Sequence, residues 1–382
     1  MRFTRRKIGK LAVLGVLSIV ILSSSGAIPA MTLTSDPCVT SRNFTLATYA
    51  SNFPNTTSIG PLGIAYRLDG QVLVTDWADG KLRRLPNHGD GQTGPYPVAI
   101  DYGAARAIPL GQIQFGSVYK FFAGRDTPNN DVIEIDQDGN IVGTPVATGM
   151  GSPRGMAAYP SLPNAPLTVG LTGHLFVGDS LNDIIYNVDP VAKTKTTFVS
   201  VGAGIDAIAF DVDGSHLYVA VSSTNAIRGF NVSNATVSFN SAVNSSGIDG
   251  VAIGLGTLTG YVYANYNSGD VWEYGLPGGP NPGSQCHIAT GGSRGDFIAS
   301  DPYVYCGGGA FPSLLLTQTS EIARLCAPNG GFFAGPTSSI TPLPAGSNIP
   351  TLSEWGMVLL VLLLGTTGVF LVRRRSSQAP LA

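Results

Sequence analysis

Charge is scarce in this chain: 12% of its 382 residues are Asp, Glu, Lys or Arg, and histidine occurs four times. The 22 basic side chains are unevenly placed, with Arg2, Arg5, Arg6, Lys7 and Lys10 at the start and Arg373, Arg374 and Arg375 near the end. Residues 31–372 therefore carry 14 basic and 24 acidic side chains, a net charge near −10. That excess argues against a nucleic-acid partner, because a phosphate backbone rewards clustered Lys and Arg. Cysteine is scarcer still. Cys38, Cys286, Cys306 and Cys326 contain no Cys-x-x-Cys pair, which removes support for a zinc ribbon or a thioredoxin-type site. DGQTGPYP and CGGGAFP are rich in glycine but lack the Lys-Ser/Thr of a phosphate loop. Between two terminal apolar segments, no stretch sustains the periodicity of a helix.

What the chain does have is a repeat. QVLVTD (71–76), HLFVGD (174–179), HLYVAV (216–221), GYVYAN (260–265) and SLLLTQ (313–318) are each β-branched or aromatic runs suited to a buried strand. A second strand follows each after a short turn: KLRRL, DIIYNVD, AIRGFNV, DVWEYG and EIARLC. Glycine-containing segments precede most of them, as in GIAYRLDG, GMAAYP, AIAFDVDG and GVAIGLG. FFAGRD (121–126) with DVIEIDQDG (131–139) is a weaker copy, making six units. Short strands at this pitch predict propeller blades, since one blade cannot bury both faces and a closed ring removes the exposed ends. GIAYRLDGQVLVTDWADGKLRRL resembles an NHL-type repeat, and the set resembles a six-bladed propeller of the NHL/TolB-like kind. FTLATYA (44–50) is the candidate strand for closing the ring against the last blade.

The two ends point to export. A basic start, the apolar run Leu11 to Leu22 and small residues around Ala27 and Ala30 read as a signal peptide over 1–30. Thr4 to Lys10 also resembles a twin-arginine signal. Trp355 to Val372 is an uncharged apolar run, long enough as a helix to span ~27 Å, and Arg373–Arg375 would stay cytoplasmic. Ile349, Pro350, Thr351 and Leu352, followed by Trp355-Gly356, an apolar helix and the arginine cluster, resemble the IPTL-CTERM sorting domain, which is similar to PEP-CTERM signals. The resemblance implies a bacterial surface protein whose tail is recognised by an exosortase-like membrane peptidase. It also implies a precursor anchored in the inner membrane and facing the periplasm, then the cell surface or medium after processing.

The expected organisation is an all-β, six-bladed β-propeller over 31–328, flanked by the signal peptide and a transmembrane sorting helix. A Gly/Pro/Ser linker spans 329–348, the sorting signal 349–376 and a tail 377–382. Four cysteines allow three pairings; the expected one is Cys306–Cys326, which would join neighbouring strands of one unit, with Cys38–Cys286 as the remainder.

Aligning the units exposes a polar column at the end of the second strand: Asp76, Asp126, Asp179, Val221, Asn265 and Gln318. Asp76, Asp126, Asp179 and Asn265 are candidate ligands for a hard cation such as calcium, which would polarise a carbonyl and activate water. An Asp at this position in NHL-like repeats also ties the following turn to backbone amides. His88, His174, His216 and His287 are isolated, and Trp77, Trp272 and Tyr274 are candidate binding-surface aromatics. The expectation is a non-enzymatic surface propeller that binds an unknown ligand, with a divalent-metal hydrolase or lyase as the alternative.

Overall fold

A computed structural model describes residues 30–55, 59–67, 69–115, 118–160, 170–305, 312–327 and 330–334. The signal peptide, the sorting motif and its apolar helix lie outside the described residues. Among the described residues, no helix is long and apolar enough to cross a membrane.

Six antiparallel sheets follow one another around a ring. Blade 1 comprises Pro61–Tyr66, Val72–Asp76, Lys81–Leu85 and Val98–Asp101, from the axis outward. Blade 2 is Ala107–Phe115, Val118–Arg125, Asp131–Ile135 and Ile141–Ala147. Blade 3 is Pro153–Ala158, Leu175–Asp179, Ile184–Asp189 and Thr194–Ser200, and blade 4 is Ile205–Phe210, His216–Val221, Ala226–Asn231 and Val237–Asn240. Blade 5 is Ile248–Gly256, Tyr261–Tyr266, Val271–Gly275 and Gln285–Thr290. Blade 6 has three consecutive strands, Ile298–Tyr305, Pro312–Thr317 and Glu321–Cys326. Its fourth comes from the start of the chain: Thr45–Ser51 pairs antiparallel with Glu321–Cys326, as FTLATYA led us to expect. The six units and their order thus match the repeat.

Neighbouring innermost strands approach closely because small residues recur on them. A Cβ on Gly155 of blade 3 would fall 3.0 Å from the Ala207 backbone of blade 4, and one on Gly250 would fall 2.6 Å from Ile298 Cγ1 of blade 6. The second strands are buried almost end to end (Val72–Asp76, Leu175–Asp179 and Tyr261–Tyr266 throughout), so each blade packs against neighbours on both faces.

Both ends of the described residues are tied to blade 5. Thr32–Leu33 adds an outermost strand there, and the short helix Pro37–Thr40 carries Cys38 to a disulfide with Cys286, Cα–Cα 6.2 Å. Cys326 is also disulfide-bonded, and Cys306 lies outside the described residues. Within the segment read from sequence as linker, Gly331–Ala334 is a strand. It pairs with Ile253–Gly256 on the inner edge of blade 5, and Phe333 is buried beside Tyr263 between blades 5 and 6. An apolar side chain with a ready cavity outweighed the glycine around it.

Candidate functional site

Every innermost strand of blades 1 to 5 begins with a β-bulge. In blade 3, Pro153 pairs with Asp179 and Gly155 with Gly178, so Arg154 is the extra residue. In blade 4, Ile205 pairs with Val221 and Ala207 with Ala220, leaving Asp206; in blade 5, Ile248 pairs with Tyr266 and Gly250 with Asn265, leaving Asp249. Blades 1 and 2 carry the same irregularity at Leu62–Gly63 and Ile108–Pro109. Blade 6 places Asp296 at the corresponding point, just before Phe297, whose carbonyl accepts from Thr317 N at 3.0 Å. A bulge re-aims a side chain that regular pleating would send into a blade interface. Repeated around the ring, it gathers Leu62, Arg154, Asp206, Asp249 and Asp296 at one mouth of the channel, with Ile108 packed behind Leu62.

This mouth is a small cleft of about 20 Å³, also lined by Ile59, Trp77, Arg294 and Phe297. Its two sides differ in chemistry. Leu62, Ile108 and Phe297 form an apolar cluster with Ile59 and Trp77, while blades 3 to 6 supply the charges. Arg106 and Arg154 stand over the Trp77 ring at 4.8 and 5.6 Å. Beneath the mouth the channel narrows to apolar side chains that include Ile64, Leu110, Met156 and Ile208.

Arg294 donates from Nε to Asp296 Oδ1 at 3.0 Å and lies 3.5 Å from Asp249 Oδ2. Asp296 is only 3% exposed and shares a side-chain hydrogen bond with Asp249. Burial, then the charges of Asp206 and Asp296, push the Asp249 carboxyl up to about 8 against the pull of Arg294. Burial raises Asp296 to about 6, opposed by Arg294. Asp206 is raised by burial too, opposed by a hydrogen bond with Ser222 and by Arg154 and Arg294. The three carboxyls titrate as a set, and the set holds protons near neutrality. Such groups can accept a cation or pass a proton.

The polar column expected from sequence is distributed differently. The ladders put Asp76, Asp179 and Val221 at one level, opposite Pro61, Pro153 and Ile205. In blade 2 that level belongs to Arg125, with Asp126 one residue beyond, and in blade 5 to Tyr266, with Asn265 one residue before. A slip of one residue sends a strand side chain to the other face, so these positions are not equivalent. Asp179 accepts from the backbone N–H of Gly151, Ser152, Leu181 and Asn182 and from Asn182 Nδ2, all within 3.2 Å. Asp76 accepts from Arg83 Nε at 2.7 Å and Ala78 N at 3.2 Å. Asp126 accepts from Ser152 Oγ at 3.2 Å, which brings it near Asp179. Asn265 donates to the carbonyls of Phe297 and Thr317. Among the described residues, no three of His, Cys, Asp or Glu are grouped so that they could hold a metal ion.

The histidines are dispersed, each beside a carboxylate: His88 with Asp301, His174 with Asp189, His216 with Asp211 and His287 with Asp270. Trp272 stacks on His287 at 4.4 Å, and Tyr274 is buried with its hydroxyl against that of Tyr266, so of the three aromatic candidates Trp77 alone lines the mouth. The mouth residues carry a sequence signal of their own: each directly precedes the small or apolar residue opening the repeated segment, as in Leu62-Gly63, Arg154-Gly155, Asp206-Ala207, Asp249-Gly250 and Asp296-Phe297.

Residues 349–375 match the family model of the IPTL-CTERM motif. No curated protein sequence matches the chain. In fold the chain is similar to a gluconolactonase from Xanthomonas campestris, with TM-score 0.55 and 14% identity over 78% of this chain and 94% of that one. It is also similar to a luciferin-regenerating enzyme, with TM-score 0.54 and 11% identity over 77% and 99% of the two chains. The PQQ-bound form of aldose sugar dehydrogenase from Streptomyces coelicolor gives 0.51 and 13% over 75% and 98%. Identities this low speak to fold and not to activity. The chain is a six-bladed β-propeller that carries an IPTL-CTERM motif at residues 349–375.

Proposed function

We propose that this chain is an exported, surface-sorted propeller that binds a ligand at the charged mouth of its channel. On this reading an exosortase-like membrane peptidase recognises Ile349–Leu352, and the precursor is held in the inner membrane by the apolar run before Arg373–Arg375. The observation that carries the binding role is the set of charged residues at the mouth. Three carboxyls and two guanidiniums are held there at a cost in desolvation that the ring itself does not need. The sorting motif supports the location. Intact mass of the protein recovered from the cell surface tests it: loss of the residues from the motif onward is expected, and retention of 350–382 refutes processing.

A divalent-metal hydrolase is the second reading, favoured by the likeness in fold to a gluconolactonase. Calcium would then raise the melting temperature of the full chain and a chelator would lower it. No shift at saturating calcium removes this reading for calcium.

A further inference from the structure

We infer that residues 336–345, the proline-rich stretch ahead of the sorting motif, dock into a groove between blades 4 and 5. The inference is independent of the binding role at the mouth.

The groove has about 380 Å³ of room, against about 20 Å³ at the mouth. Val237, Ser238 and Phe239 of the outermost strand of blade 4 form one wall, and Gly275, Pro277 and Pro282 of blade 5 the other. Among the described residues, no charged side chain lines it. Val237 is 51% exposed, an apolar side chain open to the groove beside the buried Phe239. Ser238 is the extra residue of a bulge, since Val237 pairs with Phe230 and Phe239 with Gly229. Its Oγ is buried and makes no hydrogen bond. A buried hydroxyl without a partner is costly, and an acceptor entering the groove relieves it.

The occupant follows from where the described chain stops. Ala334 ends the strand on the inner edge of blade 5, in one apolar cluster with Phe239 and Leu276. The ladders put Ala334 in a row with Ile253, Val262 and Tyr274, one residue from Gly275 at the groove. Three strand spacings, roughly 14 Å, separate the strand of Ala334 from that of Gly275. Six residues of extended chain cover about 20 Å, so Ile340 reaches the groove and Leu343 has slack to round the blade.

The composition of the segment fits the groove. Residues 335–352 carry no charge, and Ile340, Pro342, Leu343 and Pro344 offer apolar surface to uncharged walls. Pro336 cannot donate to a ladder, which favours departure of the chain from the inner edge after Ala334. Pro342 and Pro344 hold the chain extended before it binds, which lowers the cost of ordering it, and leave carbonyls unpaired. One of those carbonyls is the acceptor for Ser238 Oγ. Docking also sets the reach of the motif: Ile349, six residues past Leu343, lies within about 20 Å of the ring.

The test is thermolysin cleavage of the full chain, in a non-ionic detergent, at the Ser339–Ile340 bond, with the free peptide 335–348 as reference. The bond in the chain is expected to be cut at least about tenfold more slowly than in the peptide. Val237→Asp is expected to restore the peptide's rate, and its thermal melt shows whether it is folded. Leu343→Asp, outside the ring, is expected to do the same and decides the matter if Val237→Asp melts early. Cleavage of the parent at the peptide's rate overturns the inference. Slow cleavage that folded Val237→Asp leaves unchanged overturns the groove as the docking place. Protection that is lost on dilution moves the contact to a second copy and overturns docking within one chain.

Discussion

Where blade 6 meets the start of the chain, Arg324 is surrounded: Nε donates to Asp90 Oδ1 at 2.6 Å, NH1 to Asp301 Oδ2 at 3.0 Å and to Ser313 Oγ, and NH2 to the His88 carbonyl at 2.7 Å. Its guanidinium also lies over the Tyr49 ring of the closing strand. Asp301, fully buried, accepts further from Tyr303 N and faces His88 Nδ1. At the channel mouth, Arg294 meets two carboxylates of three, and Asp249 and Asp296 bond each other. The side-chain types are the same and the balance differs, one guanidinium serving two carboxylates there and three carboxyls here. A guanidinium saturated with acceptors adds rigidity where the ring must close, whereas an excess of carboxyls at the mouth is balanced by a proton.

The largest effect that sharpens this contrast is expected at Arg324. Arg324→Ala strands Asp301 in the interior and should destabilise the chain by about 3–5 kcal/mol in urea unfolding. A loss below about 1 kcal/mol would erase the distinction between the two clusters. Next comes the other tie between the chain start and the ring. Replacing Cys38 and Cys286 together by serine should cost about 2–4 kcal/mol, measured in the same way, because the bridge spans 248 residues. Asp179 belongs with the saturated class. Asp179→Ala removes the acceptor from four backbone amides and should cost about 1–3 kcal/mol.

The smallest effect belongs to the mouth. At pH 7 the Asp249 carboxyl already holds its proton, so Asp249→Asn should leave stability within about 1 kcal/mol of the parent. The sign with pH follows from a carboxyl raised in the folded state. From about pH 4 to 8 the folded chain holds a proton that the unfolded chain has lost, so stability falls as pH climbs. Between pH 7 and 9 the parent should lose about 1 kcal/mol through this group, and Asp249→Asn should not. Urea midpoints at the two pH values decide it.

Much of the ring was legible in the residues. QVLVTD and its five counterparts announce buried strands, and FTLATYA announces the strand that closes blade 6. The functional mouth was harder to read. The polar column at the second strand drew attention because Asp76 and Asp179 do share a level, yet Asp126 and Asn265 fall one residue to either side. Turn length differs among the blades, and a one-residue difference exchanges faces. Asp206, Asp249 and Asp296 are all aspartate, but Leu62 and Arg154 hold the corresponding places in blades 1 and 3, so the letter does not repeat around the ring.

By itself the sequence determined the strand units, their order and number, and the sorting motif at 349–375, because strand propensity, turn chemistry and a linear motif are local properties. Tertiary structure alone decided which side chains meet. The bulge at the head of the innermost strands of blades 1 to 5 depends on register with the neighbouring strand, and convergence on one mouth depends on all six blades closing about a common axis.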